Sequence, residues 1–144
     1  VVGVQALVDA LDLEPAGENR FTGRHVVANG YGVVFGGQLL AQSLVAGLAG
    51  HEGKRVKTLH TIFSRGASPE APLEIEVDPM HGGRAFASTT VTIRQGDRLC
   101  TRSLLLLSAD EEDFIHHQDD APWVGEAPTV SGEGEWQVQV VDDI

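Results

Sequence analysis

The stretch Val34-Phe35-Gly36-Gly37-Gln38-Leu39-Leu40-Ala41-Gln42-Ser43-Leu44-Val45-Ala46-Gly47 decides the fold. Two adjacent glycines let the backbone turn sharply and come close to a ligand. The run that follows, Gln38 to Ala49 (QLLAQSLVAGLA), is apolar nearly all round and is closed by Gly50. This pattern predicts one long helix over 38–49, buried on most of its sides. Ala41, Ala46, Gly47 and Ala49 allow neighbouring backbones to approach it closely.

Upstream of it, Val4, Leu7, Val8 and Leu11 fall on one stripe and predict a short helix over 4–11. The turn signals Pro15-Ala16-Gly17 and Glu18-Asn19-Arg20 predict a short hairpin over 13–23, and Asn29-Gly30 with Gly32 predicts a loop over 25–34. Downstream, four strands are expected: Val56 to Arg65, Leu73 to Asp78, Ala85 to Gln95 and Arg98 to Ser108. The second alternates cleanly, Leu73, Ile75 and Val77 inward against Glu74, Glu76 and Asp78 outward. The links His81-Gly82-Gly83 and Gly96-Asp97 suit tight hairpins, so the four strands are expected to run as an antiparallel meander. A curved antiparallel sheet wrapped round one long helix accounts for a helix that is apolar all round, and the class is α+β.

Residues 109–135 read as an acidic linker, with charge runs at Asp110 to Asp113 and Asp119-Asp120 and breakers at Pro122 and Pro128. Trp136 to Val141 alternates like a strand again, and 136–144 is expected to open a following domain. The 144 residues carry a net charge of −11 at pH 7, all of it from this last quarter. Residues 1–108 hold ten Asp/Glu and ten Lys/Arg, whereas 109–144 hold eleven Asp/Glu and no Lys or Arg. No cluster of basic residues exists to neutralise phosphates along a backbone, which argues against a nucleic-acid binder. No signal peptide is read at the start and no apolar run is long enough to span a membrane. A lone cysteine, Cys100, rules out an intrachain disulfide and fits a reducing compartment, so a cytoplasmic location is expected.

Phe35-Gly36-Gly37-Gln38 is the stretch best suited to chemistry. A helix leaves its first amide N–H groups unpaired and puts its positive dipole end there. Amides at Gly37 and Gln38 so placed can hold a thioester carbonyl oxygen as it becomes negative. The Gln38 side chain can orient a water or donate to the carbonyl; alternatively, the glycine pair only lets the helix enter a crowded core. His60 shares a strand face with Val56, Thr58 and Ile62 by simple alternation, as a general base or as a core histidine. Arg65 and Arg84 match phosphate oxygens in fork geometry, or are solvated surface residues. Cys100 has no sequence-local partner that marks a nucleophile. His116-His117 with Asp119-Asp120 is read as solvated linker rather than a metal cluster, so no metal site is expected.

VFGGQLLAQSLVAG resembles the central-helix motif of the N-terminal half of type II acyl-CoA thioesterases, and VKTLHTIFSRGASPEAPLEIEVDPMHGGRAFASTTVTIRQGDR is similar to that family's strand region. The opening LDLEPAGENRFTG matches in form, and the resemblance covers roughly 5–110. It departs from the family pattern where Lys57 replaces the first of two histidines, His60 keeping the second. It departs again at Arg65-Gly66-Ala67 and at Gly82-Gly83-Arg84-Ala85-Phe86. The resemblance implies a hotdog fold, with 1–108 as the first of two hotdog repeats packed face to face. It implies hydrolysis of fatty acyl-CoA to free fatty acid and CoA by water, without metal or cofactor. It also implies that the polar catalytic set, an Asp, a Ser or Thr and a Gln, lies mainly in the second repeat. Gln38 sits about where that repeat carries its Asp. The expected partners are acyl-CoA, a second hotdog repeat or subunit, and further copies in a homo-oligomer. Gln38, Gly37 and His60 are the catalytic candidates; Phe35, Gly36, Arg65 and Arg84 are the substrate-binding candidates. A non-catalytic acyl-CoA-binding or assembly domain and an acyl-thioester dehydratase or hydratase are the rival readings. The second of these wants a His paired with Asp or Glu near the helix, and none stands beside Gln38.

Overall fold

The computed structural model describes residues 4–112 and, as backbone, two short strands further along the chain. The N-terminal stripe forms a short helix, α1 (Val4–Asp9), and the paired turn signals close a hairpin of β1 (Glu14–Gly17) and β2 (Arg20–Gly23). Gly17 at φ 131° and Asn19 at φ 55° take up the positive angles that tight turn needs. The long helix α2 (Gly36–Leu48) follows, then β3 (Lys54–Phe63), β4 (Leu73–Gly82), β5 (Phe86–Gln95) and β6 (Arg98–Ala109). All six strands form one curved antiparallel sheet in the order β1-β2-β4-β5-β6-β3, with α2 packed on one face. This is the expected α+β hotdog architecture.

The meander is realised only by β4, β5 and β6. β3 does not lie beside β4; it sits at the far edge and pairs with β6. Segment 64–72 makes the crossing, and its backbone groups find partners outside any ladder. The Ser64 and Arg65 N–H groups donate to the Cys100 carbonyl (2.8 and 3.3 Å). The Gln95 side-chain amide accepts from the Ser68 N–H and donates to the Ser68 and Ala71 carbonyls, each at 2.8 Å. The Val34 N–H donates to the Ala67 carbonyl at 2.9 Å, tying the approach to α2 onto the crossing.

The inward row of β4 is as alternation predicts: Leu73, Ile75 and Val77 are buried in the core with Val91, Ile93, Leu105 and Leu107. In β3 alternation breaks. A bulge between Val56 and Thr58 turns Val56 to the core, with Leu59. Thr58, His60 and Ile62 face the other way, so Val56 and His60 do not share a face.

The long helix also departs from its expected environment. It begins two residues early, because Phe35 (φ −59°, ψ 125°) is its cap and both glycines are helical. It is buried on one stripe, not on most sides. The buried residues are Gln38, Leu39, Gln42, Ser43, Ala46 and Gly47, spaced four apart in pairs. Apart from Leu39 they are small or polar, which permits close contact with the sheet: a Cβ on Gly47 would lie 2.7 Å from Leu105 Cδ2. Their polar groups are largely paired. Thr61 Oγ1 lies 2.8 Å from Ser103 Oγ, which donates to Ser43 Oγ (3.2 Å), which donates to the Leu39 carbonyl (2.8 Å). Gln42 Nε2 donates to the Ala10 carbonyl at 2.8 Å and so fixes the end of the α1 segment on α2. The leucine-rich side is left partly open, with Leu40, Ala41, Leu44 and Leu48 half-buried and Val45 exposed.

Beyond residue 112, β7 (Thr129–Ser131) pairs antiparallel with β8 (Gln137–Gln139). β8 falls in the stretch expected to be a strand, and β7 lies inside the stretch read as linker. The rest of 113–144, including His116-His117, lies outside the described residues. Among the described residues, no helix is long and apolar enough to cross a membrane.

Candidate active site

The entry to α2 is built by the loop 25–34, which must stop extended backbone and start a helix within a few residues. Asn29 organises it: its Oδ1 accepts from the Tyr31 N–H (2.8 Å) and the Val33 N–H (3.3 Å), and Ala28 bridges Val34. The Phe35 N–H then donates to the Val27 carbonyl at 2.8 Å. The Phe35 carbonyl accepts from Gln38 N–H (3.0 Å) and Leu39 N–H (3.4 Å), so the Gln38 amide is closed into the first turn. The free donors are one residue earlier than expected. The N–H groups of Gly36 and Gly37 have no hydrogen-bond partner among the described residues, and they stand at the positive end of the helix dipole.

Two grooves flank these amides. One, of about 190 Å³, runs between α1 and the helix start and is lined by Val4, Leu7, Val8, Leu11, Phe35 and Ala41 beside Gly37 and Gln38. The other, of about 310 Å³, lies on the Gly36 side and is lined by Asn29, Phe63 and Arg65 among others. The Phe35 ring lies close over Gly37, and the Phe63 ring comes to ordinary contact distance of Gly36. A Cβ on Gly37 would fall 2.6 Å from the Phe35 ring, and one on Gly36 would fall 3.4 Å from the Phe63 ring. No residue lining either groove carries a carboxylate or an imidazole. The arrangement therefore offers an apolar trough, two backbone donors and one guanidinium, with no general base of its own.

The structure brings Phe35, Gly36, Gly37, Gln38 and Arg65 together at this end of the helix. The Gln38 side chain is buried, its Oε1 accepting from the Val27 N–H (2.8 Å) and its Nε2 donating to the His25 carbonyl (2.9 Å). It thus clamps the loop to the helix. His60 is exposed on the sheet face turned away from α2, opposite Leu104 in register, and does not approach the glycines. Arg84 is exposed in the β4–β5 connection, at the end of β6 near Ala109, whereas Arg65 is tied to Cys100 at the other end. Those points are nine residues apart along β6, so at a strand rise of about 3.3 Å per residue the two arginines are separated by on the order of 30 Å. Phe63 and the α1 stripe are the site residues that sequence reading passed over; the aromatic position two residues before Arg65 was the available signal.

Cys100 is buried and free, and burial pushes its thiol above its ordinary range, against the opposing pull of Arg98, the Gln95 backbone and Arg94. A raised thiol is the reverse of what a nucleophile needs. Among the described residues, no group of three or more His, Cys, Asp or Glu is placed to hold a metal ion. A wider hollow of about 860 Å³ opens on the far face of the sheet beneath the β1–β2 hairpin, and it contains none of the predicted site residues. Its rim is closed by the Arg20–Glu76 ion pair at 3.3 Å.

Residues 26–108 match the family model described as the acyl-CoA thioesterase N-terminal domain. Acyl-coenzyme A thioesterase 8 of Rattus norvegicus is 33% identical over 82% of this chain and 37% of its own length. The peroxisomal acyl-coenzyme A thioester hydrolase 1 of Saccharomyces cerevisiae is 30% identical over 78% of this chain and 34% of its own length. Among solved structures, a tesB protein of Mycobacterium avium subspecies paratuberculosis superimposes with a TM-score of 0.76 at 27% identity, over 88% of this chain and 48% of that one. This chain therefore spans about a third of those curated relatives and about half of the structural one.

Proposed function

We propose, from the premise that this chain belongs to the acyl-CoA thioesterase N-terminal domain family, that it is the N-terminal hotdog half of an enzyme hydrolysing fatty acyl-CoA. The observation that carries this reading is the pair of unpaired Gly36 and Gly37 amides between an apolar groove and a groove bearing Arg65. A thioester laid across the helix start places its carbonyl oxygen on the two N–H groups. Water adds to the carbonyl carbon, and the oxygen's growing charge is held by donors already oriented, which is worth several kcal/mol in comparable acyl-transfer sites (about 3 to 4). Collapse expels the coenzyme A thiolate, which takes up a proton, leaving the free fatty acid. With no carboxylate or imidazole lining either groove, the group that activates water comes from a second hotdog repeat. That repeat also covers the open leucine side of α2.

Gln38 in this scheme holds the loop that presents Phe35 and the glycines. Arg65 meets coenzyme A phosphate oxygens, and Arg84 and His60 act, if at all, toward another repeat or copy. Homo-oligomer assembly belongs to the same proposal, as does a cytoplasmic location. The name of the yeast relative places that protein in the peroxisome, and fractionation of cells carrying the tagged full-length protein decides between the two compartments.

The test is titration of free thiol after mixing the full-length protein, and separately this chain, with a fatty acyl-CoA. Thiol release by the full-length protein with none above background from this chain is the expected outcome. Binding without turnover by the full-length protein supports a non-catalytic acyl-binding domain, a reading that the absence of an acid or base from the two grooves favours. A change in enoyl absorbance supports a hydratase instead.

A further inference from the structure

The sheet face turned away from α2 carries an apolar strip that nothing among the described residues covers. Leu104 is 47% exposed, Leu106 38%, Phe86 51% and Ile62 58%. In register, Leu104 lies between Thr90 and His60, Leu106 between Ser88 and Thr58, Ile62 opposite Arg102 and Phe86 opposite Ser108. β6 has a strand on each side, so its two leucines stand inside the face rather than at its edge. An exposed apolar strip with a polar rim marks a contact surface.

The rim of this strip is divided by sign. On one flank β4 presents Glu74, Glu76 and Asp78, the outward row opposite the buried Leu73, Ile75 and Val77. On the other flank β3 exposes Arg55, Lys57 and His60, with Arg102 exposed on β6. β5 and β6 lie between the flanks, which sets them three strand spacings apart, about 14 Å. That is too far for the two flanks to pair within one chain. Glu76 is held by Arg20 and Arg55 by Asp110, whereas Glu74, Asp78, Lys57 and Arg102 form no ion pair among the described residues.

We propose that this face packs on the same face of a second copy of the chain, about a two-fold axis running parallel to the strands between β5 and β6. Such an axis exchanges β5 with β6 and β4 with β3, and it keeps the level along the strands. Asp78, Thr90, Leu104 and His60 share one level by register. Stacked sheets lie about 10 Å apart. Asp78 therefore comes over His60 of the second copy, within reach of its Lys57, and the leucines of the two copies meet at the centre. Charge selects this axis: a two-fold axis across the strands would lay β4 on β4 and set three carboxylates against three. Charge also selects the occupant. A face whose two flanks carry opposite sign is complementary to itself, as a contact between identical copies requires. The contact gives the homo-oligomer its surface without depending on the catalytic reading, since mass and turnover are measured separately.

The experiment is sedimentation equilibrium of the full-length protein over a concentration series, with folding of each variant checked by circular dichroism. The parent is expected to sediment as an even number of chains. Leu104→Glu puts a carboxylate from each copy into the apolar centre and is expected to halve the mass. Asp78→Lys and Lys57→Glu, at exposed positions that leave folding intact should Leu104→Glu not fold, are each expected to raise the dissociation constant about tenfold, because like charges then face each other. The double variant is expected to return to within about threefold of the parent, because the exchanged charges meet again across the axis. A parent of one chain or of an odd number of chains overturns the proposal. So do single reversals without effect, a double variant no tighter than the singles, or an unchanged mass in a folded Leu104→Glu, which would show that another part of the full-length chain covers the strip.

Discussion

The two sides of α2 invert the usual pattern of a helix on a sheet. The side against the sheet is mostly small or polar, with Gln38, Gln42, Ser43, Ala46 and Gly47 buried beside one leucine, Leu39. The rest of the helix surface holds Leu40, Leu44 and Leu48, half-buried, with Leu44 and Leu48 packed in part against the core, and Val45, exposed. At Gly47 the inner side needs close approach, which a larger residue would block. Its polar groups tolerate burial because the loop before α2, the end of the α1 segment, the helix backbone and, for Ser43, the sheet answer most of them. The outer side leaves part of its apolar area uncovered among the described residues. The comparison teaches that the two sides of one helix differ in what they meet: a tight, hydrogen-bonded contact formed here, and an apolar side that, in the function proposed above, a second hotdog repeat completes.

The largest effect is expected on the inner side. Gly47→Val forces a side chain into space where a Cβ already lies 2.7 Å from Leu105 and 3.3 Å from Val91. Overpacking of this kind costs about 3 kcal/mol, and chemical denaturation of this chain measures it. A loss below half of that would mean that helix and sheet separate easily, which breaks the contrast. Gln38→Ala comes next. It leaves the Val27 N–H and the His25 carbonyl without their partner, a loss of about 2 kcal/mol in stability. In the full-length protein kcat/KM should also fall, since the loop that presents the glycines is released; an unchanged kcat/KM removes Gln38 from any role in turnover.

Val45→Ser sharpens the comparison from the other side. In this chain the position is exposed, and the change should stay within about 0.5 kcal/mol. In the full-length protein, where we propose that the same face is covered, it should cost about 1.5 kcal/mol or more. Equal effects in both would leave the outer side without a partner. The smallest effect concerns Cys100. Its thiol is held protonated in the fold by burial, so the unfolded chain releases that proton first as pH rises. The contribution is complete below the unfolded value, about 8.5, and is lost progressively as pH climbs from there through the raised folded value. Stability measured from pH 7 to 10 should fall less steeply in Cys100→Ala than in the parent.

Much of the fold was legible because it is written in short-range patterns. The stripe of α1, the turn residues of the first hairpin and the alternation of β4 each depend on neighbours in sequence, and each element appears within a few residues of its expected bounds. The glycine pair at the head of α2 was legible for the same reason. The His60 face was misread because the bulge at 56–58 belongs to the pairing of β3 with β6, which no local signal announces. Phe63 and the α1 stripe were missed as groove residues because their meeting with Gly36 and Gly37 joins segments far apart in the chain.

By itself the sequence determined which segments of 4–109 are helix and strand, the charge division at residue 108, and the family to which residues 26–108 belong. These follow from periodicities of about 2 and 3.6 residues and from motif order, which need no third dimension. The tertiary structure decided which side of α2 is buried, which face His60 takes, that β3 lies beside β6 rather than β4, and that the free amides are those of Gly36 and Gly37. Each of these depends on which distant backbone supplies a hydrogen-bond partner or a surface, and that is settled only when the sheet closes and the helix lies against it.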